Sequence, residues 1–416
     1  MLRPKWLLTA LSFALLSFVM ALPGLAQDDA QESFVYLLNN MAGELIRVDM
    51  DGTVTPVDLG LSPDAFAGLN VVAIAPDGDH AALCANTAGQ NAPPQFSARV
   101  RDFTANATLW TADIEAAINC SIAGFSADGS LVALALVHRF PMPDAPGDGP
   151  TWELRVVDAL TGALVASLPG DVALTQQIMP GDDVEFAPPL LPILRQFDGE
   201  QVIFTAAPYA SHGFALGAFV WGLGEAGIVP AADHWGNLGV DVLAATGEIA
   251  YPFLDATRPA AEQLGPAPVF NTVIIEDATG PRTIYTVGAD SQISNTVFIE
   301  GGARLAVQVS DALSFNSTEP SVTRWIALDR AGNEEILMET ISYAEFLPAT
   351  GGWVSLTTGN APGQQRDFTL MFGSGTSREV LWTGQAASGG RWQLLWALSD
   401  TPDAGAVDWP AFADAG

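Results

Sequence analysis

The stretch Phe125-Ser-Ala-Asp128-Gly129-Ser-Leu-Val-Ala-Leu134 joins one apolar run to the next through a tight Asp-Gly turn. Turns of the same kind recur at Asp77-Gly78, Asp198-Gly199, Thr246-Gly247, Gly301-Gly302, Gly351-Gly352 and Gly389-Gly390. A second kind of turn, in which Gly or Asn follows the end of a strand-like run, alternates with them at Asp49…Gly52, Asp102…Asn106, Asp158…Gly162, Gly222…Gly227, Asp277…Gly280, Asp329…Gly332 and Gly373…Gly375. Interleaved turn signals with a period of roughly fifty residues are typical of a repeat architecture.

These turns predict a four-stranded sheet, whose strands we name A to D from the centre of the molecule outward. The Asp-Gly and Gly-Gly turns would join strand A to strand B, and the second kind would join strand C to strand D. Seven turns of each kind predict seven radially arranged sheets, which is an all-β β-propeller. The last spacing, 38 residues from 351 to 389 against 51 from 77 to 128, leaves six or eight blades open.

The order of the turns also predicts how the ring closes. The series begins with a C–D turn at Asp49 and ends with an A–B turn at Gly389-Gly390, so one blade is expected to combine a hairpin from each terminal region. The propeller is expected to span residues 33–400 and to be followed by a polar tail, 401–416. Only Thr111–Asn119 has a pattern that favours a helix.

Two stretches carry a resemblance to known repeats. Ala75-Pro-Asp77-Gly78 and the Phe125–Leu134 stretch resemble the core of WD-repeat-like and TolB-type propeller repeats. Val157-Asp158-Ala-Leu-Thr161-Gly162 looks like the outer hairpin of the same repeats. The resemblance implies a β-propeller, and it implies a binding platform more often than an enzyme.

Residues 1–26 have the organisation of a secretory signal peptide. A short cationic start, Met1–Lys5, precedes the apolar run Trp6–Leu22, and small residues lead to a predicted cleavage after Ala26. The alternative is an uncleaved membrane anchor, because the apolar run is just at spanning length. No later apolar stretch is that long, so we predict a periplasmic or secreted protein with no integral membrane segment after cleavage.

The charge of the chain excludes one class of partner. There are 47 acidic residues against 16 basic ones, for a net charge of −31, and Lys5 is the only lysine. Binding to nucleic acid requires dense Lys and Arg to replace counterions, so nucleic acid is not expected as a partner. We interpret the net negative charge as favouring solubility. The alternative interpretation is that it attracts cations or basic partners. The protein is expected to be a monomer.

The two cysteines, Cys84 and Cys120, permit one disulfide in an exported chain. Cys84 lies in an apolar strand-like run, and Cys120 lies just before the next run. Neighbouring strands would bring the two sulfurs together. Two buried free thiols are the alternative.

In up-and-down blades, the A–B and C–D turns emerge on one face and the B–C and D–A connections on the other. We call the second face the long-loop face, because its connections are long at Asn86–Gln95, His138–Pro150, Gln176–Pro192, Pro208–Gly217, Asp255–Pro268, Ser310–Ser321 and Gly359–Arg366. Length variation on one face of a rigid scaffold is typical of a binding surface. Neutral drift explains any single long loop equally well.

The long-loop face carries the predicted ligand-binding residues, which are His138, Arg139, Tyr209, His212, His234, Trp235, Arg258 and Arg366. We predict a non-catalytic binding protein that recognises a protein or carbohydrate partner through them. The sequence contains no G-x-S-x-G, P-loop or dinucleotide motif, so it predicts no catalytic residue and no cofactor. The alternative is a metal-dependent propeller hydrolase or lyase with His138, His212 and His234 in the central funnel.

Overall fold

A computed structural model describes residues 33–397, apart from 40–41, 62–68, 89–94, 115–116, 118, 139–151, 171–189, 209–213, 216, 233–235, 238–239, 244–245, 259–269, 312–321, 341–343, 350, 360–365 and 387–389. The described residues from Phe34 onward belong to one compact unit. The predicted signal peptide, 1–26, and the predicted tail, 401–416, lie outside them.

Strands dominate the described residues and form seven four-stranded sheets. Blade 7 contains, from strand A to strand D, β30 (Trp392–Ala397), β1 (Phe34–Asn39), β2 (Glu44–Asp49) and β3 (Val54–Val57). Blade 1 contains β4 (Leu69–Ile74), β5 (His80–Asn86), β6 (Phe96–Asp102) and β7 (Ala107–Ile114), and blade 2 contains β8 (Asn119–Phe125), β9 (Leu131–Val137), β10 (Trp152–Asp158) and β11 (Leu164–Gly170).

The other four blades follow the same order. Blade 3 contains β12 (Leu190–Phe197), β13 (Gln201–Pro208), β15 (Gly217–Gly222) and β16 (Val229–Ala232), and blade 4 contains β18 (Asp241–Leu243), β19 (Glu248–Phe253), β20 (Thr272–Asp277) and β21 (Gly280–Thr286). Blade 5 contains β22 (Ser291–Ile299), β23 (Arg304–Asp311), β24 (Thr323–Asp329) and β25 (Glu334–Thr340), and blade 6 contains β26 (Ala344–Ala349), β27 (Gly352–Thr358), β28 (Arg366–Ser374) and β29 (Ser377–Ala386). The predicted seven-bladed propeller is confirmed.

The tight turns have the chemistry that their sequences predict. In the A–B turn of blade 2, the Asp128 carboxylate accepts hydrogen bonds from the Ser130 N–H at 3.0 Å and the Ser126 hydroxyl at 2.7 Å. Gly129 follows with φ +73°, a left-handed conformation that glycine adopts without steric cost. The hydrogen bonds from Ser126 and Ser130 hold the pKa of Asp128 below its usual value.

The ring closes through one blade shared by both terminal regions, as predicted, but the division of strands differs. Strand A of blade 7 is β30, and strands B, C and D are β1, β2 and β3. The prediction that Gly389-Gly390 forms an A–B turn is wrong, because Gly390 lies between β29 and β30 and so belongs to a D–A connection. The reason is that all six residues of β1 are buried, which requires an interior position in the blade.

The predicted helix at Thr111–Asn119 is also wrong. The outer strand β7 extends to Ile114, and β8 begins at Asn119. Residues Thr111, Ala112 and Asp113 are exposed on the open side of this outermost strand, so their polarity follows from the sheet edge. An edge strand of this kind lacks the strict alternation that identifies a half-buried strand in a sequence.

Aromatic side chains pack between neighbouring blades. Trp325 on β24 stacks on Phe346 of β26, with ring centroids 4.7 Å apart, and Phe346 stacks on Trp353 of β27 at 5.1 Å. Trp325 and Trp353 are each 1% exposed. Burying a large apolar side chain contributes about 1.5–3 kcal/mol, so this stack is a strong contact between blades 5 and 6.

A disulfide joins blades 1 and 2. It links Cys84 on β5 to Cys120 on β8, with their Cα atoms 6.1 Å apart. Both residues are fully buried among apolar side chains. The bond therefore connects two sheets rather than two strands of one sheet. No helix in the described part of the chain is long and apolar enough to cross a membrane.

Candidate functional site

The two faces of the propeller differ in the length of their connections. The A–B and C–D turns between described strands contain two to six residues. The B–C connections of blades 1 to 6 contain seven to eighteen residues, and the D–A connection 171–189 contains nineteen. The B–C turn of blade 7, residues 40–43, is the short exception, and several D–A connections are equally short. The asymmetry therefore resides mainly in the B–C connections.

An additional two-stranded sheet lies on the long-loop face between blades 3 and 4. Strand β14 (Phe214–Ala215) belongs to the B–C connection of blade 3, and β17 (Gly236–Asn237) belongs to the D–A connection that follows that blade. The two strands are antiparallel, with Phe214 opposite Asn237 and Ala215 opposite Gly236. Two connections that are separate in sequence are therefore joined by backbone hydrogen bonds.

This small sheet lies beside four of the predicted ligand-binding residues in sequence. Tyr209 and His212 precede β14, and His234 and Trp235 directly precede β17. These four residues and Arg139 lie outside the described residues. What the structure shows is that β14 and β17, the described strands that follow these residues in the sequence, pair with each other.

His138 is the first predicted site residue that the structure describes. Its Nε2–H donates to Glu153 Oε2 at 3.0 Å, and the other oxygen of Glu153 accepts from Arg155 Nε at 2.7 Å. Burial pushes the pKa of Glu153 upward, but the hydrogen bonds from His138 and Arg155 outweigh burial and hold the pKa below its usual value. His138 is thus part of a cluster with Glu153 and Arg155, where strand B of blade 2 ends and strand C begins.

Arg258 and Arg366 are the other two described members of the predicted set. Arg258 Nε donates to Asp255 Oδ2 at 2.7 Å, and the Asp255 backbone is tied to the buried side chain of Asn271 at 2.9 Å. Arg366 begins β28 and is exposed. Both cations therefore lie on the long-loop face, one already ion-paired and one facing solvent.

The described residues do not assemble a metal site. No group of three or more His, Cys, Asp or Glu side chains among them is close enough to hold a metal ion. His212 and His234 of the alternative metal site are outside the described residues, and the described member, His138, is held by Glu153.

A central cavity of about 880 Å³ was not predicted from the sequence. It lies among the innermost strands of blades 3 to 6, and it reaches the A–B turns of blades 5 and 6 at Gly301-Gly302 and Gly351-Gly352. It is therefore located toward the face with tight turns, opposite the long-loop face. Its walls are mostly apolar, and Arg195, Asp241 and Glu300 are the titratable residues in its lining.

Arg195 enters the cavity from a β-bulge in β12. Leu194 pairs with Phe204 and Gln196 pairs with Ile203, so Arg195 is the extra residue between them. A bulge redirects the side chain that it carries. Arg195 Nε donates to Thr205 Oγ1 at 3.2 Å, whereas its buried Nη2 has no hydrogen-bond partner among the described residues. Burial lowers the pKa of Arg195 to about 10, and Asp241 opposes this shift.

Asp241 begins the innermost strand of blade 4 and lines the same cavity. Its Oδ2 accepts a hydrogen bond from the Phe298 N–H at 2.6 Å, across the boundary between blades 4 and 5. Burial raises the pKa of Asp241 to about 6, although this hydrogen bond and the charge of Arg195 lower it. Near neutral pH, both forms of this carboxyl group are therefore populated.

Known structures share the fold of this chain. The sequence matches no protein-family model, and no curated protein matches it. Prolyl oligopeptidase B from Galerina marginata is 10% identical, with a TM-score of 0.51 over 86% of this chain and 51% of that one. The β-propeller domain of the Trilobed protease from Pyrococcus furiosus is 10% identical, with a TM-score of 0.47 over 84% of this chain and 98% of that one.

TolB from Acinetobacter baumannii is 15% identical, with a TM-score of 0.40 over 80% of this chain and 68% of that one. The chain spans about half the length of the prolyl oligopeptidase that it matches. Identities this low show a common fold and nothing further about function. The propeller fold implied by the repeat resemblance is confirmed.

Proposed function

We propose that this chain is an exported, non-catalytic binding protein that recognises a protein or carbohydrate partner through its long-loop face. The observation that supports the proposal is the asymmetry of the two faces. In blades 1 to 6, B–C connections of seven to eighteen residues emerge opposite turns of two to six residues. Rigid scaffolds that bind partners concentrate loop length in this way, because loops vary while the scaffold holds them in place.

The centre of the proposed surface is the β14–β17 sheet between blades 3 and 4. The sheet ties a B–C connection to a D–A connection, and the segments with Tyr209, His212, His234 and Trp235 lead directly into it. Aromatic and imidazole side chains suit the recognition of sugar rings or of a protein surface.

A variant with Tyr209, His212, His234 and Trp235 all changed to Ala tests the proposal. The processed wild-type protein and the variant would be assayed on a glycan array and by cross-linking to intact producing cells. We expect the variant to lose the binding that the wild type shows. The matched control changes the exposed turn-face residues Thr104, Glu200 and Thr376 to Ala and is expected to retain binding.

The proposal is contradicted if the long-loop variant binds as the wild type does while the turn-face variant does not. It is also contradicted if the wild type binds neither glycans nor any cell-surface protein. Circular dichroism of each variant separates loss of binding from loss of folding.

A further inference from the structure

Arg195 presents an unused hydrogen-bond donor to the central cavity. A guanidinium with a pKa of about 10 is fully charged at neutral pH. Its Nε is bonded to Thr205, but its Nη2 has no partner among the described residues and is screened from solvent. Buried charged donors are nearly always paired, because leaving one unpaired costs about 1–3 kcal/mol or more.

Asp241 does not supply the missing partner. It attracts Arg195 electrostatically, but its Oδ2 accepts from the Phe298 N–H and forms no hydrogen bond to Nη2. Glu300, the other acidic residue in the described part of the lining, is bonded to Arg304 Nη1 at 3.1 Å. Among the described residues, the cavity therefore contains a cation that is held by Thr205 and whose Nη2 has no hydrogen-bonded anion, although Asp241 acts on it electrostatically.

We propose that the central cavity binds a small organic monocarboxylate, with its carboxylate on the Arg195 guanidinium and its apolar body against the cavity walls. A planar guanidinium and a carboxylate match in geometry and form charge-assisted hydrogen bonds. The volume of about 880 Å³ is within the range of about 300–1,000 Å³ that is typical of small-molecule sites.

The walls determine what kind of carboxylate fits. Partly exposed Val240, Val297, Leu347 and Pro348 line the cavity, so an alkyl or aryl group would be removed from water there. The nearby Asp241 and Glu300 carboxyl groups repel a second negative charge, which disfavours phosphate and dicarboxylates. The site is separate from the long-loop face, so the proposal does not depend on the function proposed above.

Binding of an anion here is coupled to the protonation of Asp241. Of the charged groups in the described lining, Arg195 on β12 acts on Asp241 electrostatically, and Glu300, on the turn after β22, is paired with Arg304. When Asp241 is neutral, the guanidinium acts on the ligand without a competing negative charge. The affinity should therefore rise as the pH falls through 6, by up to about 10-fold between pH 7.5 and pH 5.5.

Isothermal titration calorimetry with benzoate, uncharged benzamide and inorganic phosphate tests the proposal on the full processed protein. We expect benzoate to bind at least 10-fold more tightly than benzamide or phosphate, and to bind more tightly at pH 5.5 than at pH 7.5. Arg195→Met is expected to weaken benzoate binding by roughly 10- to 100-fold, the usual effect of removing a buried charged partner. Arg282→Met, on the outermost strand β21 of blade 4 and outside the cavity lining, is the matched control and should bind as the wild type does.

Asp241→Asn provides a second variant if Arg195→Met fails to fold, because an amide oxygen still accepts from the Phe298 N–H. It should bind benzoate more tightly than the wild type at pH 7.5, with an affinity that no longer changes with pH. The proposal is overturned if benzoate and benzamide bind equally or not at all at 10 mM, or if Asp241→Asn keeps the wild-type pH dependence. A crystal soaked in benzoate that shows a water on Nη2 and no anion would also overturn it.

Discussion

Reduction of the Cys84–Cys120 disulfide is expected to destabilise the propeller measurably. The bond joins β5 of blade 1 to β8 of blade 2 across a sequence separation of 36 residues. It therefore restricts the unfolded chain over strands C and D of one blade and the start of the next. In the chain-entropy treatment, a loop of this length contributes about 4 kcal/mol to the free energy of unfolding.

That free energy corresponds to a measurable change in melting temperature. At about 2 cal/mol/K per residue, a domain of this size has an unfolding entropy near 0.8 kcal/mol/K at its Tm. A loss of about 4 kcal/mol then lowers the Tm by about 5 °C. Differential scanning calorimetry with and without a phosphine reductant measures this shift directly.

The control is the double variant Cys84→Ala, Cys120→Ala. Its Tm should not respond to reductant, and it should melt at or below the Tm of the reduced wild type, because alanine also removes two buried sulfur atoms. The reasoning is refuted if the oxidised and reduced wild type melt within 1 °C of each other while mass spectrometry shows that reduction is complete.

Four other perturbations have defined outcomes. Glu345→Ala should lower the free energy of unfolding by about 1–2 kcal/mol in chemical denaturation, because the partly buried Glu345 carboxylate accepts the Leu394 N–H of β30 and pairs with the partly exposed Arg391 at 2.5 Å, and so ties blade 6 to β30. Gly332→Ala should destabilise more than Gly351→Ala. Both glycines have positive φ, but a Cβ at Gly332 would clash with the backbone carbonyl oxygen of Ile284 in blade 4, whereas a Cβ at Gly351 would meet nothing within 4 Å. Thermal melts of the two variants should therefore differ, and equal Tm values would contradict the close approach. Asp241 binds a proton more tightly in the folded than in the unfolded state, so its contribution to stability falls as the pH rises from about 4 to 6. Over that range, the free energy of unfolding of Asp241→Asn should rise relative to that of the wild type by up to about 3 kcal/mol. Denaturant titrations at each pH measure the difference. The proposed binding function expects EDTA to leave the Tm unchanged, and a lower Tm with one bound metal per chain would favour the hydrolase or lyase alternative instead.

Turn chemistry made the blades predictable from the sequence. An Asp that accepts backbone N–H groups and a Gly with positive φ form a turn from four or five consecutive residues, so the signal is local. The position of β1 was not predictable in this way. Its partner in strand A, β30, lies more than 350 residues away, and no local pattern encodes that pairing.

The candidate sites show the same difference between features encoded locally in the sequence and features that arise from tertiary structure. The long-loop face could be predicted because loop lengths are visible in a sequence. The cavity with Arg195 and Asp241 was missed, because a β-bulge and the meeting of four blades are tertiary features. One signal was available: Arg195 is the charged residue in an otherwise mainly apolar strand, and an innermost propeller strand faces the central channel.

The closure of blade 7 has a consequence for synthesis of the chain on the ribosome. Leu37 on β1 pairs with Leu394 on β30, 357 positions later, so the inner edge of β1 has no partner until β30 has been made. At about 5–20 residues per second, synthesis of the chain from β1 to β30 takes roughly 20–70 s. During it, the fully buried sequence Phe34–Asn39 is an open strand edge that other nascent chains can pair with. Chaperones that shield such edges should therefore matter more for the yield of this protein than for propellers whose blades each fold from consecutive strands.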